Sequence, residues 1–473
     1  METLFQQLTH GNALFLILVL GLGGSFQVGF HITGLSSPSP YIQRFINNSW
    51  YDRYGEPPHP QTVTMIWSLI VSMFAVGGLF GAISVKFISD LLGRKKAMIC
   101  NSFIAVLAAG FMLTSKNVNS FEMIIVARFL FGYSAGLGMN THLIYLGEIS
   151  PRKIRGIVTL TLATFLSLGK VSGQTFGLSE ILGREDTWDI LLSVAALFSF
   201  VQIVMLPFFP ETPRYLLIEK GDDKACKKAL QSLWGQGDYQ QEMDEMLTEQ
   251  AAIEAAPPVS LLQLLRDRTV RWQISTFTYD IFLEAGIPKK KIRYITLGLG
   301  VAEILTSLTC GLLIDLTGRR PLLFGGYGVM SACWIFVTVT LNLKDSSYWV
   351  PYITVSLMVV FIVFFCGGPG GATPTLNSEL FIQSNRMASL VLTGLQGWFM
   401  FAVMGLVFPF LIDALSSYLF VLFASACMLG SLYTFFLLPE TKGKTLLEIS
   451  EEFKAITVCG KSFAEETRTE TRL

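Results

Sequence analysis

Long apolar stretches separated by short polar gaps dominate the chain. Cutting it at its charged and Pro/Gly positions leaves runs of about 20 apolar residues, the length at which a helix crosses roughly 30 Å of hydrocarbon. The pattern predicts spans at 13–35, 63–86, 97–115, 121–147, 157–181 and 187–209, then at 292–315, 321–342, 349–375, 387–413 and 417–438. Between the two sets, 210–272 is rich in Lys, Glu and Asp and reads as a cytoplasmic helical linker. The predicted division is an N-terminal six-helix bundle at 1–209, this linker, a C-terminal bundle at 273–438 and a polar cytoplasmic tail at 439–473. The first span has no basic region before it and no small-residue cleavage site, so it reads as a retained helix.

Composition strengthens the membrane reading. Hydrophobic residues make up 51% and charged residues 15% of the chain, with a mean hydropathy of +0.52, beyond what a water-soluble surface tolerates. The 35 basic and 35 acidic residues balance, so nothing points to a nucleic-acid partner. Four His and seven Cys fall in no HExxH or CxxC pattern, so no enzyme, metal or other cofactor is indicated. None of the cysteines lies in 36–62, which argues against an external disulfide framework.

A basic turn is spelled twice. Asp90-Leu91-Leu92-Gly93-Arg94-Lys95 follows one apolar run, and Asp315 with Thr317-Gly318-Arg319-Arg320 follows another. Matching turns in two halves mark a duplicated transporter. Short cytoplasmic loops collect Arg and Lys, so these turns and Arg152-Lys153-Ile154-Arg155 are expected inside. That puts 36–62 outside, where Asn47-Asn48-Ser49 is a glycosylation sequon, and both termini in the cytoplasm if every crossing forms.

Further segments carry a family resemblance. Pro210-Glu211-Thr212-Pro213-Arg214, Arg128 with Gly132, Glu148-Ile149-Ser150-Pro151 with Arg155-Gly156, and Pro439-Glu440-Thr441-Lys442-Gly443 stand in the order found in the sugar-porter branch of the major facilitator superfamily. Over about 12–454 the chain resembles the class II facilitative glucose/fructose transporters. Gly138-Met139-Asn140, Glu303 and Leu415-Ser416 resemble the member 11 type most and the urate-transporting member 9 type next. The resemblance implies an all-α major facilitator fold of two pseudo-symmetric six-helix bundles. It also implies facilitated uniport of a hexose such as fructose or glucose by alternating access, in a multi-pass membrane protein; the sequon and the lack of an organelle signal make the plasma membrane the default. The expected partners are the hexose and the lipid bilayer.

The same resemblance assigns roles to residues. Asp90, Arg94, Arg128, Glu148 and Arg155 in the first half, with Arg319, Arg320, Glu379 and Arg386 in the second, would form a charge network that latches the cytoplasmic ends in one conformation and releases them in another. Alone, such charges would only set topology. Gln174, in what reads as an otherwise apolar fifth span, can donate to and accept from sugar hydroxyls, or can bond a neighbouring helix. Gln27 and Trp398 match cavity positions of the family. His31 and Glu303 read as the ionisable groups within the bilayer. Proton-coupled relatives carry Asp at the position of His31, so its absence implies passive transport. Glu303 would shape substrate choice or pair with a nearby donor.

The tenth span contains Gly367-Gly368-Pro369-Gly370-Gly371-Ala372-Thr373-Pro374, which cannot remain a regular helix. Gly368, Pro369, Gly370, Gly371 and Pro374 therefore form either a gating hinge or a fixed kink. The chain also departs from the family. After Gln273 the sequence passes straight to Phe277-Thr278-Tyr279-Asp280, as if about twenty residues of a seventh helix were missing, roughly one crossing. The remnant 273–287 holds Asp280 and Glu284. Without that crossing Gly318-Arg319-Arg320 would emerge outside, against the positive-inside rule. A non-transporting splice or gene-model isoform is the alternative reading.

Overall fold

The computed structural model describes residues 11–35, 37–150, 155–255, 317–343, 350–367 and 419–437, the paired strands at 457–458 and 461–462, and isolated positions elsewhere. Among them helix dominates. Six helical segments are long and apolar enough to cross a membrane: Ala13–Gly34, Pro60–Leu92, Arg94–Val118, Phe121–Ile149, Trp188–Phe208 and Arg320–Thr340. Large apolar side chains such as Phe15, Phe87, Phe103 and Leu197 stand more than half exposed on their outer faces, which suits contact with lipid.

The first crossing is two helices, α1 (Ala13–Gly23) and α2 (Ser25–Gly34), broken at Gly24. After it come α3 (Ser39–Tyr54), α4 (Pro60–Leu92), α5 (Arg94–Val118), α6 (Phe121–Ile149) and α7 (Arg155–Phe176). The sixth crossing is again divided, into α8 (Trp188–Ser193) and α9 (Ala195–Met205). Three polar-face helices follow: α10 (Pro213–Ile218), α11 (Asp223–Trp234) and α12 (Gln240–Ala255). Later in the chain are α13 (Arg319–Asn342), α14 (Val350–Gly367), α15 (Leu419–Leu437) and the two-residue antiparallel pair β1 (Thr457–Val458) and β2 (Lys461–Ser462).

Local chemistry sets these boundaries. Pro60 opens α4 behind His59, whose ring nitrogen accepts the Gln61 N–H. Asn119 closes α5 in the left-handed conformation, and Asp222 caps α11 by accepting from Ala225 N. Gly93 and Gly318, the caps of α5 and α13, have nearly the same backbone, with φ/ψ of 82°/170° and 90°/170°. A side chain is strained at such φ, so the duplicated basic turn demands glycine in both copies.

The chain forms two compact units, the first holding α1–α12 and the second α13–α15 with the hairpin. In the first, α4 packs along α6 and α2 along α7. Small residues bring the backbones together: a Cβ added to Gly132 would sit 1.9 Å from the Phe74 carbonyl oxygen, and one on Gly29 would sit 2.1 Å from that of Leu166. In the second unit Trp334 is buried against Phe361 and Phe423, with Ser331 Oγ donating to Ala424 O.

The region expected to be a separate linker is, as far as Ala255, part of the first unit. Leu233 joins the core formed by Leu16, Leu20 and Tyr145, Trp234 Nε1 donates to Ile149 O at 2.9 Å, and Asn12 N donates to Ser232 O at 3.1 Å. The helical pattern of α11 puts Cys226, Ala229, Leu230 and Leu233 on one buried face, with Cys226 and Leu230 packed against Leu217 and Met243 and Leu233 against the bundle.

Candidate functional site

The break at Gly24 brings together the buried polar side chains Ser25, Gln27, Asn101, His142 and Gln202. A Cβ there would meet the His142 ring at 2.8–2.9 Å, so the chain can bend at that level only with glycine. Carbonyls near the bend are taken up by side chains from other helices, as an apolar surrounding requires. Asn101 Nδ2 donates to Gly23 O at 3.4 Å and Gln202 Nε2 to Val19 O at 3.3 Å. Gln27 Nε2 donates to Leu22 O at 3.0 Å and to Ala195 O at 2.8 Å, linking the broken first crossing to the divided sixth. Gln27 is 2% exposed, so both amide protons of this expected sugar contact are engaged in the bundle's own architecture.

One turn further along α2, His31 is buried with its ring 4.2 Å from that of Phe131 and 5.8 Å from that of Phe74. Arg128, also buried, donates through Nη1 to His31 O at 3.3 Å and through Nε to Ile70 O at 3.4 Å, and its guanidinium lies 4.7 Å over Phe74. Arg128 and Glu148 stand twenty positions apart on α6, about 30 Å by helical rise, and the contacts of Arg128 lie at the level of His31.

A charge cluster joins α5, α6 and the chain after the sixth crossing. Arg94 contacts Glu148 Oε1 from Nη2 at 3.0 Å and Nε at 3.2 Å, and Glu219 Oε1 from Nη1 at 2.9 Å, with its guanidinium 5.0 Å over the Tyr215 ring. Glu148 Oε2 accepts from Thr212 Oγ1 at 2.6 Å. Glu211, to which the motif at 210–214 gave no role, accepts the Lys95 N–H at 3.0 and 3.1 Å and so caps the start of α5. Burial pushes its carboxyl above the ordinary range, while the Thr212 and Lys95 backbone amides pull it back. Lys95 Nζ reaches Phe209 O at 3.3 Å, and the counterpart Arg320 donates to Phe435 O and lies 5.5 Å over its ring. In each half the second basic residue of the turn thus ties down the end of the last crossing described there.

Other expected residues are placed as follows. Gln174 is half-buried on α7, its Oε1 enclosed without a hydrogen-bond partner. The fifth span is not otherwise apolar, because Lys170 stands one turn before Gln174, and Arg128 and His142 add ionisable groups to the fourth. Lys170 was legible at its position in the sequence. Asp90 is exposed near the end of α4, Arg155 begins α7 and Arg319 begins α13, and Trp398 is half-buried in the second unit. Asn47 is exposed on α3, but Ser49 of the same sequon is buried and donates to Asn119 O at 2.8 Å. Glu303, Glu379, Arg386 and the hinge residues Gly368, Pro369, Gly370, Gly371 and Pro374 lie outside the described residues, as does 273–287.

Comparison with known proteins agrees with this fold. The family described as "Sugar (and other) transporter" matches residues 16–279 and 274–453. Solute carrier family 2, facilitated glucose transporter member 9 of Mus musculus is 42% identical over 92% of this chain and 84% of its own length. Member 11 of Homo sapiens is 40% identical over 94% of both chains, and member 5 of Rattus norvegicus 36% identical over 96% and 94%. Among solved structures, the inward-open xylose transporter XylE from E. coli superposes with a TM-score of 0.75 at 17% identity, covering 93% of this chain and 99% of that one. With a matching fold and relatives this similar along almost the whole length, the chain belongs to the sugar transporter family and is a multi-pass membrane protein of the major facilitator fold.

Proposed function

We propose that this chain carries a hexose such as fructose or glucose down its gradient, as a uniporter of the plasma membrane with both termini in the cytoplasm. Two helical halves rock about a central site, and the Arg94–Glu148–Glu219 cluster steadies the cytoplasmic end of the first half. The observation that carries the reading is Gln174: an amide oxygen enclosed in the bundle with no partner is a ready acceptor for a sugar hydroxyl. The names of the relatives, facilitated glucose transporters, support uniport. His31, Trp398 and Glu303 are proposed to contribute around the same cavity, and Gly368–Pro374 to bend as it opens.

A second reading keeps a specific observation in its favour. The two stretches that match the family meet at 274–279, the place where the chain passes from Gln273 directly into what resembles the outer end of a seventh helix. A chain short of one crossing would be a non-transporting isoform. Uptake of labelled fructose and glucose by proteoliposomes holding this chain, beside the same chain with a family-type seventh helix inserted after Gln273, separates the two. Saturable uptake by the unmodified chain establishes the carrier, whereas uptake only after insertion establishes the isoform. A urate-transporting relative is tested by labelled urate in the same vesicles.

A further inference from the structure

Arg128 brings a charge into the interior of the first unit. It is 2% exposed, and among the described residues it meets backbone carbonyls and an aromatic face: Nε donates to Ile70 O at 3.4 Å, Nη1 to His31 O at 3.3 Å, and the guanidinium lies 4.7 Å over the Phe74 ring. A guanidinium carries five N–H groups, and these two hydrogen bonds leave most of them without a partner among the described residues. No carboxylate among the described residues reaches it. Carbonyl dipoles and a ring face orient the charge without cancelling it, and an uncompensated charge in so dry a place is costly.

His31 adds a second donor. Its Nε2 is enclosed with no hydrogen-bond partner, and the ring, itself 2% exposed, stands 5.8 Å from that of Phe74 and 4.2 Å from that of Phe131. With the ring proton on Nε2 this atom donates, as the guanidinium nitrogens do. The unsatisfied groups at this level are therefore donors beside a positive charge, which is the chemistry of an anion site. His31 stands three residues before the end of α2 at Gly34, about 5 Å by helical rise, and Arg128 seven after the start of α6 at Phe121, about 10 Å. Both lie toward the end of the bundle where Arg53 pairs with Glu122, so the site is shallow enough for a small ion from the water at that end.

We propose that Arg128 and His31 hold a small inorganic anion, chloride by abundance, as a resident ion and not as cargo. The ion neutralises the guanidinium, accepts from both side chains and ties α2 to α6. It is independent of the hexose reading and of Gln174.

The test is thermal unfolding of the full chain in detergent, with chloride replaced stepwise by gluconate at constant ionic strength so that screening is held fixed. Chloride should raise the Tm along a saturating curve, by about 3 °C or more once the site fills. Arg128→Leu removes the charge and His31→Asp supplies a carboxylate of its own, so the Tm of both variants should be indifferent to chloride. Arg53→Leu, at the exposed pair with Glu122, should keep the full response. A natural chain whose Tm ignores chloride overturns the proposal, as does a response that survives in Arg128→Leu or His31→Asp or is lost in Arg53→Leu. Should neither of the first two variants fold, hydrogen exchange of the natural chain decides: chloride must slow the amides of α2 and of α6 around Arg128, and slowing confined to other elements overturns the site. None of these readouts needs transport, so their outcome stands apart from that of the uptake experiment.

Discussion

Arg94 and Glu148 form a two-nitrogen contact on one carboxylate oxygen, at 3.0 and 3.2 Å, with both side chains less than one-sixth exposed. A pair this enclosed differs from a surface ion pair, because deleting one partner strands the other in a poorly solvated place. The Arg94→Ala and Glu148→Ala variants should each lower the apparent Tm, and the double variant should lose much less than the two separate losses combined. A coupling of about 1–3 kcal/mol is the expected scale for residues in contact. Scanning fluorimetry of the four proteins in detergent checks it; additive losses would mean that the contact contributes nothing.

Glu211 gives a pH dependence with a definite sign. Its carboxyl is raised by burial in the folded chain, so its contribution to stability is full below the ordinary carboxylate pKa and is lost as pH rises through the raised value. Glu211→Gln keeps one oxygen to accept from Lys95 N and removes the titration. Relative to the natural chain, this variant should fare worse near pH 4 than near pH 7. Tm measured at half-unit steps across that range would show the difference, and parallel curves would contradict it.

Gln174 and Gln27 should separate by the kind of damage their loss does. Gln174→Ala removes an amide oxygen without a partner, so thermal stability should hold while the KM for hexose rises, by about tenfold for a lost ligand hydrogen bond. Gln27→Ala orphans the carbonyls of Leu22 and Ala195, at about 1–3 kcal/mol for each buried group left unsatisfied. It should lower Tm strongly in the same assay. Uptake kinetics paired with thermal unfolding for both variants tests the split.

His31→Asp would place a carboxylate beside the Phe74 ring that Arg128 already overlies. Uptake by the natural chain is expected to be indifferent to an imposed proton gradient, and uptake by His31→Asp to respond to it, because a carboxylate near a buried guanidinium exchanges a proton with the transport cycle. His31→Asn, which adds no titrating group, serves as the control. A gradient effect in the natural chain would contradict passive transport.

How legible was this in the sequence? The apolar runs and the repeated Gly-Arg turns were enough to find the long apolar helices of the first unit, though not α3 or α10, because hydrocarbon thickness dictates run length and the φ of Gly93 and Gly318 dictates glycine. The partners of the basic turn were less visible. Glu148 followed from the motif, but Glu211 and Glu219 reach α5 only once the chain after the sixth crossing folds back on the bundle. The level of Arg128 beside His31 was not legible, because a motif gives order along a chain whereas depth in a membrane comes from helical rise. Lys170 was legible: it lies four positions from Gln174, a spacing that puts both on one face of a helix.

The Gln27 amide that joins Leu22 to Ala195 spans 168 positions of chain. A ribosome adding roughly 5–20 residues per second would take about 10–30 s to supply the second carbonyl after the first has entered the bilayer. Through that interval one amide proton of Gln27 and the Val19 carbonyl lack their partners, Ala195 O and Gln202 Nε2, both on the sixth crossing. The crossing at Ala13–Gly34 is therefore expected to take its final form only once the sixth has been made, and synthesis arrested before Ala195 to leave it unfinished.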